Sequence, residues 1–430
     1  MNIVESAEIS GFWGDRTVSC ALQPDVNFLI GANGSGKTTV INLLAAALQG
    51  DFSTLDRFPF KSISIGLKEV GGRRKPSILV TKRSPRRASF QTVEYQIRNA
   101  ASEPPRKYSL DEYEHQKLLR RMYAADRHLA SSASIRRRRM TRGVVQHLRQ
   151  LVSVNWLSIH RSTFNRLFAE EDESYESTVD KKIEDLGDGL VRYFSSISRM
   201  RDELLADFQQ QVFLSLIDLP KDSDSTPALE FESLREGLTA IYEQFGVDTK
   251  TTLRKLDQYF SALTRGIDSI ENKDFDTSWR ELVAAITAPR VAMVVREWWA
   301  LQDRQARVEE SRTKFLSLIN GMLQNKALSI NDNNELEVAT TSGIRLTPRQ
   351  LSSGEKQLLI ILGDALLQRG KPYVYIADEP ELSLHVDWQE ALIRTLREIN
   401  PQAQVIVATH SPDIVGDYAG RTINMSNAVS

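Results

Sequence analysis

Cysteine is nearly absent from this chain: Cys20 is the single one in 430 residues. That excludes an internal disulfide framework and any cysteine-based metal cluster. Long apolar runs are missing too. None approaches the roughly 18 residues needed to cross a bilayer, and the best candidate, 282–295, is broken by Pro289 and Arg290. The opening MNIVESAEIS has no basic segment followed by an apolar core, so no secretion signal is expected and the expected compartment is the cytoplasm. Net charge is close to zero at −1, while 41% hydrophobic and 26% charged residues are ordinary for a globular protein. The length exceeds one average domain.

The near-neutral balance hides a segregated middle. Residues 115–150 hold ten Lys/Arg, among them Arg136 to Arg139 and Arg149, against one acid, Asp126. Residues 170–188 then carry nine acids against Lys181 and Lys182. The first 100 residues read mainly as strands, at 3–12, 17–22 and 26–30, with a meander at 62–68, 77–81 and 92–97 and a turn at Gly71-Gly72. From about 108 the pattern turns helical (190–216, 229–245, 251–271, 277–325), interrupted by the apolar run 151–159, which predicts a buried strand. Strand character returns at 327–330, 336–339, 373–377, 404–408 and 421–425. The expected organisation is 1–107 and 326–430 as two halves of one domain, with 108–325 a mainly helical insertion from which strand 151–159 returns to that domain.

One segment matches G-x-x-x-x-G-K-[ST] in full: Gly31-Ala-Asn33-Gly34-Ser35-Gly36-Lys37-Thr38, followed by Thr39. It lies between an apolar strand and a helix. Glycines let backbone N–H groups wrap phosphate oxygens, and the helix N-terminus adds a favourable dipole. Lys37 is expected on the β/γ-phosphates and the Thr38 hydroxyl on Mg²⁺. A second apolar strand ends in Asp378-Glu379. Paired with the loop, Asp378 is expected to hold Mg²⁺ and Glu379 to polarise the attacking water as general base. A third strand ends in Thr409-His410-Ser411-Pro412, where His410 is placed to sense the γ-phosphate.

Leu351-Ser352-Ser353-Gly354-Glu355-Lys356-Gln357 resembles the ABC signature sequence. The order of phosphate loop, signature, strand-Asp-Glu and strand-Thr-His is similar to that of ABC-type ATPases, including the SMC, RecF and OLD branches. The resemblance implies an α/β fold: a P-loop ABC-type ATPase head, with a mixed sheet and an N-terminal antiparallel β subdomain, and a large helical insertion. It implies ATP and Mg²⁺ as ligands and a head-to-tail dimer or higher homo-oligomer, in which Ser352 and Gly354 contact a partner copy's nucleotide. Asp378-Glu379-Pro380-Glu381-Leu382-Ser383-Leu384-His385 is similar to the OLD-type run, with His385 where transporters carry an aspartate. A transporter-type lid glutamine has no clear equivalent, since His160-Arg161 follow the strand at 151–159. The resemblance covers about 1–100, 150–162 and 326–425.

Nuclease-bearing OLD proteins continue into a TOPRIM domain, whereas this sequence stops about 20 residues past His410 and shows no HNH-like cluster among six histidines. The expectation is therefore a separate effector polypeptide, such as a TOPRIM-type nuclease. That arrangement resembles stand-alone anti-phage ATPases of the AriA type of PARIS and the PtuA type of Septu and retrons. The opening Ile9-Ser-Gly-Phe-Trp-Gly14 is nearer the AriA type. Arg136 to Arg139 suit nucleic-acid phosphates, an acidic protein surface (of a phage product, say), the acidic 170–188 segment of this or another copy, or a solvated loop. Two functions stay open: a defence ATPase controlling an effector, and a RecF/SMC-like repair ATPase gripping DNA. A transporter subunit fits less well, with about 310 residues between the phosphate loop and the signature. Trp298-Trp299 reads as core packing, and Phe12-Trp13 as either an adenine contact or sheet core.

Overall fold

The computed structural model describes residues 1–83, 92–109, 143–158, 178–215, 231–272 and 278–430. Their contacts divide them into two units: Met1–Val191 with Lys314–Ser430, and Arg192–Thr313.

Alternating apolar residues build an antiparallel sheet at the N-terminus of the first unit. Its strands are β1 (Asn2–Phe12), β2 (Arg16–Ala21), β4 (Ser62–Glu69), β5 (Ser77–Arg83), β6 (Thr92–Arg98) and β7 (Arg106–Ser109). They run in the order β2-β1-β4-β5-β6-β7. On β4, Ile63, Ile65 and Leu67 are buried between more exposed neighbours, the period-2 pattern of a sheet covered on one face. That face packs on helix α1 (Lys37–Gln49): Ile9, Phe12, Ile63, Ile65, Val80 and Tyr95 share one core with Val40, Ile41, Leu44 and Leu48. Each such side chain contributes about 1.5–3 kcal/mol by leaving water. β7 continues a meander that the sequence pattern ends at 97.

The second sheet is parallel throughout, in the order β14-β3-β13-β12-β8. It comprises β3 (Val26–Ile30), β8 (Val154–Ser158), β12 (Tyr373–Asp378), β13 (Ala403–Ala408) and β14 (Thr422–Asn424). β13 is buried along its whole length and β12 up to Ala377, the pattern of strands covered on both faces. The expected strand at 151–159 is shorter in the structure. Residues 143–151 are helical, and Val152 N–H still bonds the Leu148 carbonyl at 2.9 Å. An apolar run cannot by itself separate the end of a buried helix from the start of a buried strand. Position 159 lies outside the described residues.

A small third sheet, β9 (Lys326–Ile330), β10 (Leu336–Thr340) and β11 (Arg345–Leu346), leads into helix α7 (Ser353–Leu367). Helix α2 (Phe52–Arg57) follows α1, and α8 (Val386–Ile399), α9 (Pro412–Val415) and α10 (Met425–Ala428) complete this unit.

The second unit is helical. It takes parts of α3 (Thr178–Ser215) and α6 (Trp279–Met322) and all of α4 (Phe231–Gln244) and α5 (Thr249–Asn272). α5 and α6 approach closely because Gly266 has no side chain: a Cβ there would come inside 3.0 Å of the Glu281 carbonyl. Trp298 is buried against Phe208, ring centroids 5.6 Å apart, whereas Trp299 is 43% exposed. Only the first of the two tryptophans is core.

Candidate active site

Three adjacent parallel strands, β3, β13 and β12, end level with one another, with Leu29, Ala408 and Asp378 in register. The carboxyl edge of such a sheet is where ligands of open α/β folds bind. The phosphate loop leaves β3, Asp378 closes β12, Glu379 follows it, and Thr409-His410 follow β13.

In the loop, Gly31, Gly34 and Gly36 have φ of 151°, 79° and 93°. A Cβ on Gly36 would lie 2.7 Å from the Phe12 ring, so both backbone conformation and space require glycine there. Gly36 caps α1 without a side-chain partner, and no acid occupies the first turn, which leaves helix N–H groups facing outward. Lys37 is buried at 4% exposure, and its ammonium donates to the carbonyls of Gly31 (2.8 Å) and Ala32 (3.2 Å). Burial lowers its pKa, while the nearby charges of Glu379 and Asp378 pull it back up. Ser35 Oγ is buried with no hydrogen-bond partner among the described residues. Asn33 is exposed and Thr39 half-buried. An orphaned hydroxyl, a lysine and open helix N–H groups together fit a polyphosphate.

Thr38 Oγ1 donates to Asp378 Oδ1 at 3.1 Å, closing 340 residues of chain. A hydroxyl and a carboxylate at the phosphate edge are hard oxygen donors, the set that suits Mg²⁺ completed by phosphate and water. Among the described residues no group of three or more His, Cys, Asp or Glu could hold a metal, so the donor set is not an all-protein cage. Glu379 has φ 48°, an uncommon left-handed setting, and its N–H bonds Ala408 O at 2.8 Å. Its Oε1 lies 3.8 Å from His410 Nε2.

Ser352 and Gly354 stand on a different framework. Ser352 caps α7 in a capping box with Glu355, whose carboxylate receives Lys326 Nζ at 2.8 Å. A Cβ on Gly354 would come inside 3.0 Å of the Ser383 carbonyl and 3.6 Å from Trp388 Cζ3. Trp388 Nε1 also donates to Met322 O at 2.7 Å.

Motif reading assigns no role to Glu381, Thr409 or Gln357. The structure makes Glu381 a buried partner of the Thr409 hydroxyl and ties Gln357 Nε2 to Pro380 O. Burial, then the Glu379 charge, raises the Glu381 pKa. The second acid of Asp-Glu-Pro-Glu is the signal that marks the position. The Arg136–Arg139 segment, His160-Arg161 and residues 170–177 of the acidic stretch lie outside the described residues.

Among proteins with curated records, this chain is 31% identical over 155 residues to the Uncharacterized ABC transporter ATP-binding protein YejF of Escherichia coli K12. That stretch is 34% of this chain and 28% of YejF. Among solved structures it is similar to the Smc head domain with an extended coiled coil bound to the C-terminal domain of ScpA, derived from Pyrococcus furiosus. There the identity is 14%, the coverage 96% of this chain and 91% of that one, and the TM-score 0.40. For the SMC head domain from Thermotoga maritima the values are 11%, 96%, 92% and 0.37. A family profile described as "AAA domain, putative AbiEii toxin, Type IV TA system" matches residues 26–416, the span from the strand before the phosphate loop to just past His410, and the chain belongs to that family.

Proposed function

We propose that this P-loop ATPase, with its ABC-type order of motifs, hydrolyses ATP between two copies of itself and uses the cycle to control a separate effector in anti-phage defence. The observation that carries the hydrolysis reading is the meeting of Lys37, Thr38, Asp378, Glu379 and His410 on three adjacent strand ends. Lys37 and the loop N–H groups hold the β/γ-phosphates. Thr38 and Asp378 hold Mg²⁺, which when bound neutralises charge developing on the phosphate oxygens. Glu379 takes the proton from the attacking water. His410, within reach of Glu379, keeps the base oriented and meets the γ-phosphate. Ser352 and Gly354 present N–H groups to the nucleotide of the other copy. Trp13, 45% exposed and beside Gly36, offers its ring to the adenine, while Phe12 is core.

The defence role rests on the family's description, which names a toxin of a type IV toxin–antitoxin system, and on the resemblance to AriA- and PtuA-type ATPases. A compact helical unit at Arg192–Thr313 suits binding a trigger or an effector, for which a TOPRIM-type nuclease is the favoured candidate. No helix among the described residues is long and apolar enough to cross a membrane, and a cytoplasmic setting follows from this reading. Glu379→Gln tests it twice. ATP should still bind while turnover falls by about 10²–10⁴-fold, and a phage-challenged strain carrying the locus should lose protection. Unchanged turnover removes Glu379 as the base; lost turnover with intact protection removes the ATP cycle from defence. The repair reading, favoured by the basic stretch, instead requires salt-dependent DNA binding that stimulates hydrolysis.

A further inference from the structure

Glu381 is 5% exposed, and only one of its two carboxylate oxygens is well used. Oε1 accepts from the Thr409 hydroxyl. Oε2 is buried with no hydrogen-bond partner among the described residues. A carboxylate present only to stabilise the fold would have both oxygens satisfied, because an orphaned buried acceptor is destabilising. The surrounding ties explain what it holds instead. The Thr409 hydroxyl accepts from Ser411 N–H at 2.9 Å, and Ser411 Oγ donates to Gln389 Oε1 at 2.8 Å. On the other side, Gln357 of α7 grips Pro380 O, between Glu379 and Glu381, and Leu382 N–H bonds Glu379 O at 3.2 Å. Glu381 is therefore the cross-tie between the turn after β12 and the turn after β13. Those two turns carry Glu379 and His410, whose side chains stand 3.8 Å apart.

We propose that Glu381 is a positioning residue for ATP hydrolysis: through the hydroxyl of Thr409, the residue before His410, it sets His410 against Glu379. It acts through Thr409 rather than on the reacting atoms, and the inference rests on the reading of Glu379 as the base. Misalignment of two reacting groups is felt in turnover more than in ground-state binding. The test is steady-state hydrolysis with thermal unfolding measured on the same full-length samples.

Glu381→Ala should lower kcat by about 10- to 100-fold, the scale of one hydrogen bond to a buried charged group, with KM for ATP within about twofold of wild type. Glu381→Gln keeps an acceptor for the Thr409 hydroxyl and should recover most of the rate. Thr409→Val cuts the same tie from the other side and should match Glu381→Ala, with the double variant no worse than either single one. Thr409→Ser, which keeps the hydroxyl, should behave as wild type. Thr409→Val and Thr409→Ser also carry the test if Glu381→Ala does not fold. Wild-type kcat in Glu381→Ala or in Thr409→Val, a loss confined to KM, or additive losses in the double variant would overturn the proposal while leaving the base assignment intact. Undiminished turnover in Glu379→Gln sinks the base assignment instead.

Discussion

Adding a single methyl group at Gly354 tests how the signature turn is seated. Gly354 lies in the first turn of α7, where alanine would ordinarily stabilise by about 0.5–1 kcal/mol through helix propensity. Here the new Cβ would sit inside 3.0 Å of the Ser383 carbonyl oxygen, with Trp388 behind it at 3.6 Å. Carbon and carbonyl oxygen normally approach to about 3.3 Å, so something must shift by about 1 Å. The obstacle is backbone: Ser383 already has φ 76°, and the next N–H is bonded to Glu381 O at 2.9 Å. Overpacking of this kind costs about 1–3 kcal/mol, which exceeds the propensity gain and leaves a net loss of roughly 1–2 kcal/mol. Gly321 supplies the control, since a Cβ there meets nothing within 4 Å. Calorimetric unfolding without nucleotide should show Gly354→Ala below wild type and Gly321→Ala at or above it. In ATPase assays Gly354→Ala should lose on the order of 100-fold in kcat, the penalty for a 1 Å displacement of a positioned group. If Gly354→Ala is as stable as Gly321→Ala and hydrolyses at the wild-type rate, the tight seat of the signature on Ser383 is refuted.

Lys326→Met should destabilise by roughly 2–3 kcal/mol, less than a fully buried pair because the lysine is partly exposed; urea unfolding measures it, and adding Glu355→Gln should restore most of the loss. Burial pushes the Glu355 pKa up, but the Lys326 bonds and the Ser352 N–H and hydroxyl outweigh it, leaving the pKa below the ordinary 4.5. The stabilisation is therefore complete above about pH 4.5 and is lost as pH falls through the lowered value. The gap between wild type and Lys326→Met should close in acid, and a gap that widens there contradicts the assignment. Trp13→Ala should weaken ATP binding by about 5- to 100-fold, the range for one base–aromatic stack. Calorimetric titration should show little change for triphosphate alone; equal losses for ATP and triphosphate would place Trp13 outside the adenine contact.

The phosphate loop, the strand ending in Asp378-Glu379, the strand before His410 and the signature helix were all legible in the chain alone. The first three rest on local rules, glycine where φ is positive and apolar runs for strands buried on both faces, and the signature helix on its resemblance to the ABC signature turn. Parallel pairing of β3, β13 and β12 was decided by tertiary packing, because Leu29 and Asp378 are far apart in sequence and no periodicity encodes their neighbourhood. So were the short start of β8, the partition of Trp298 inside and Trp299 outside, and the contact of Gly354 with Ser383. Glu381 shows the difference most clearly. In sequence it is one more acid in a motif; only folding buries it beneath Thr409, where losing water makes its remaining hydrogen bonds matter.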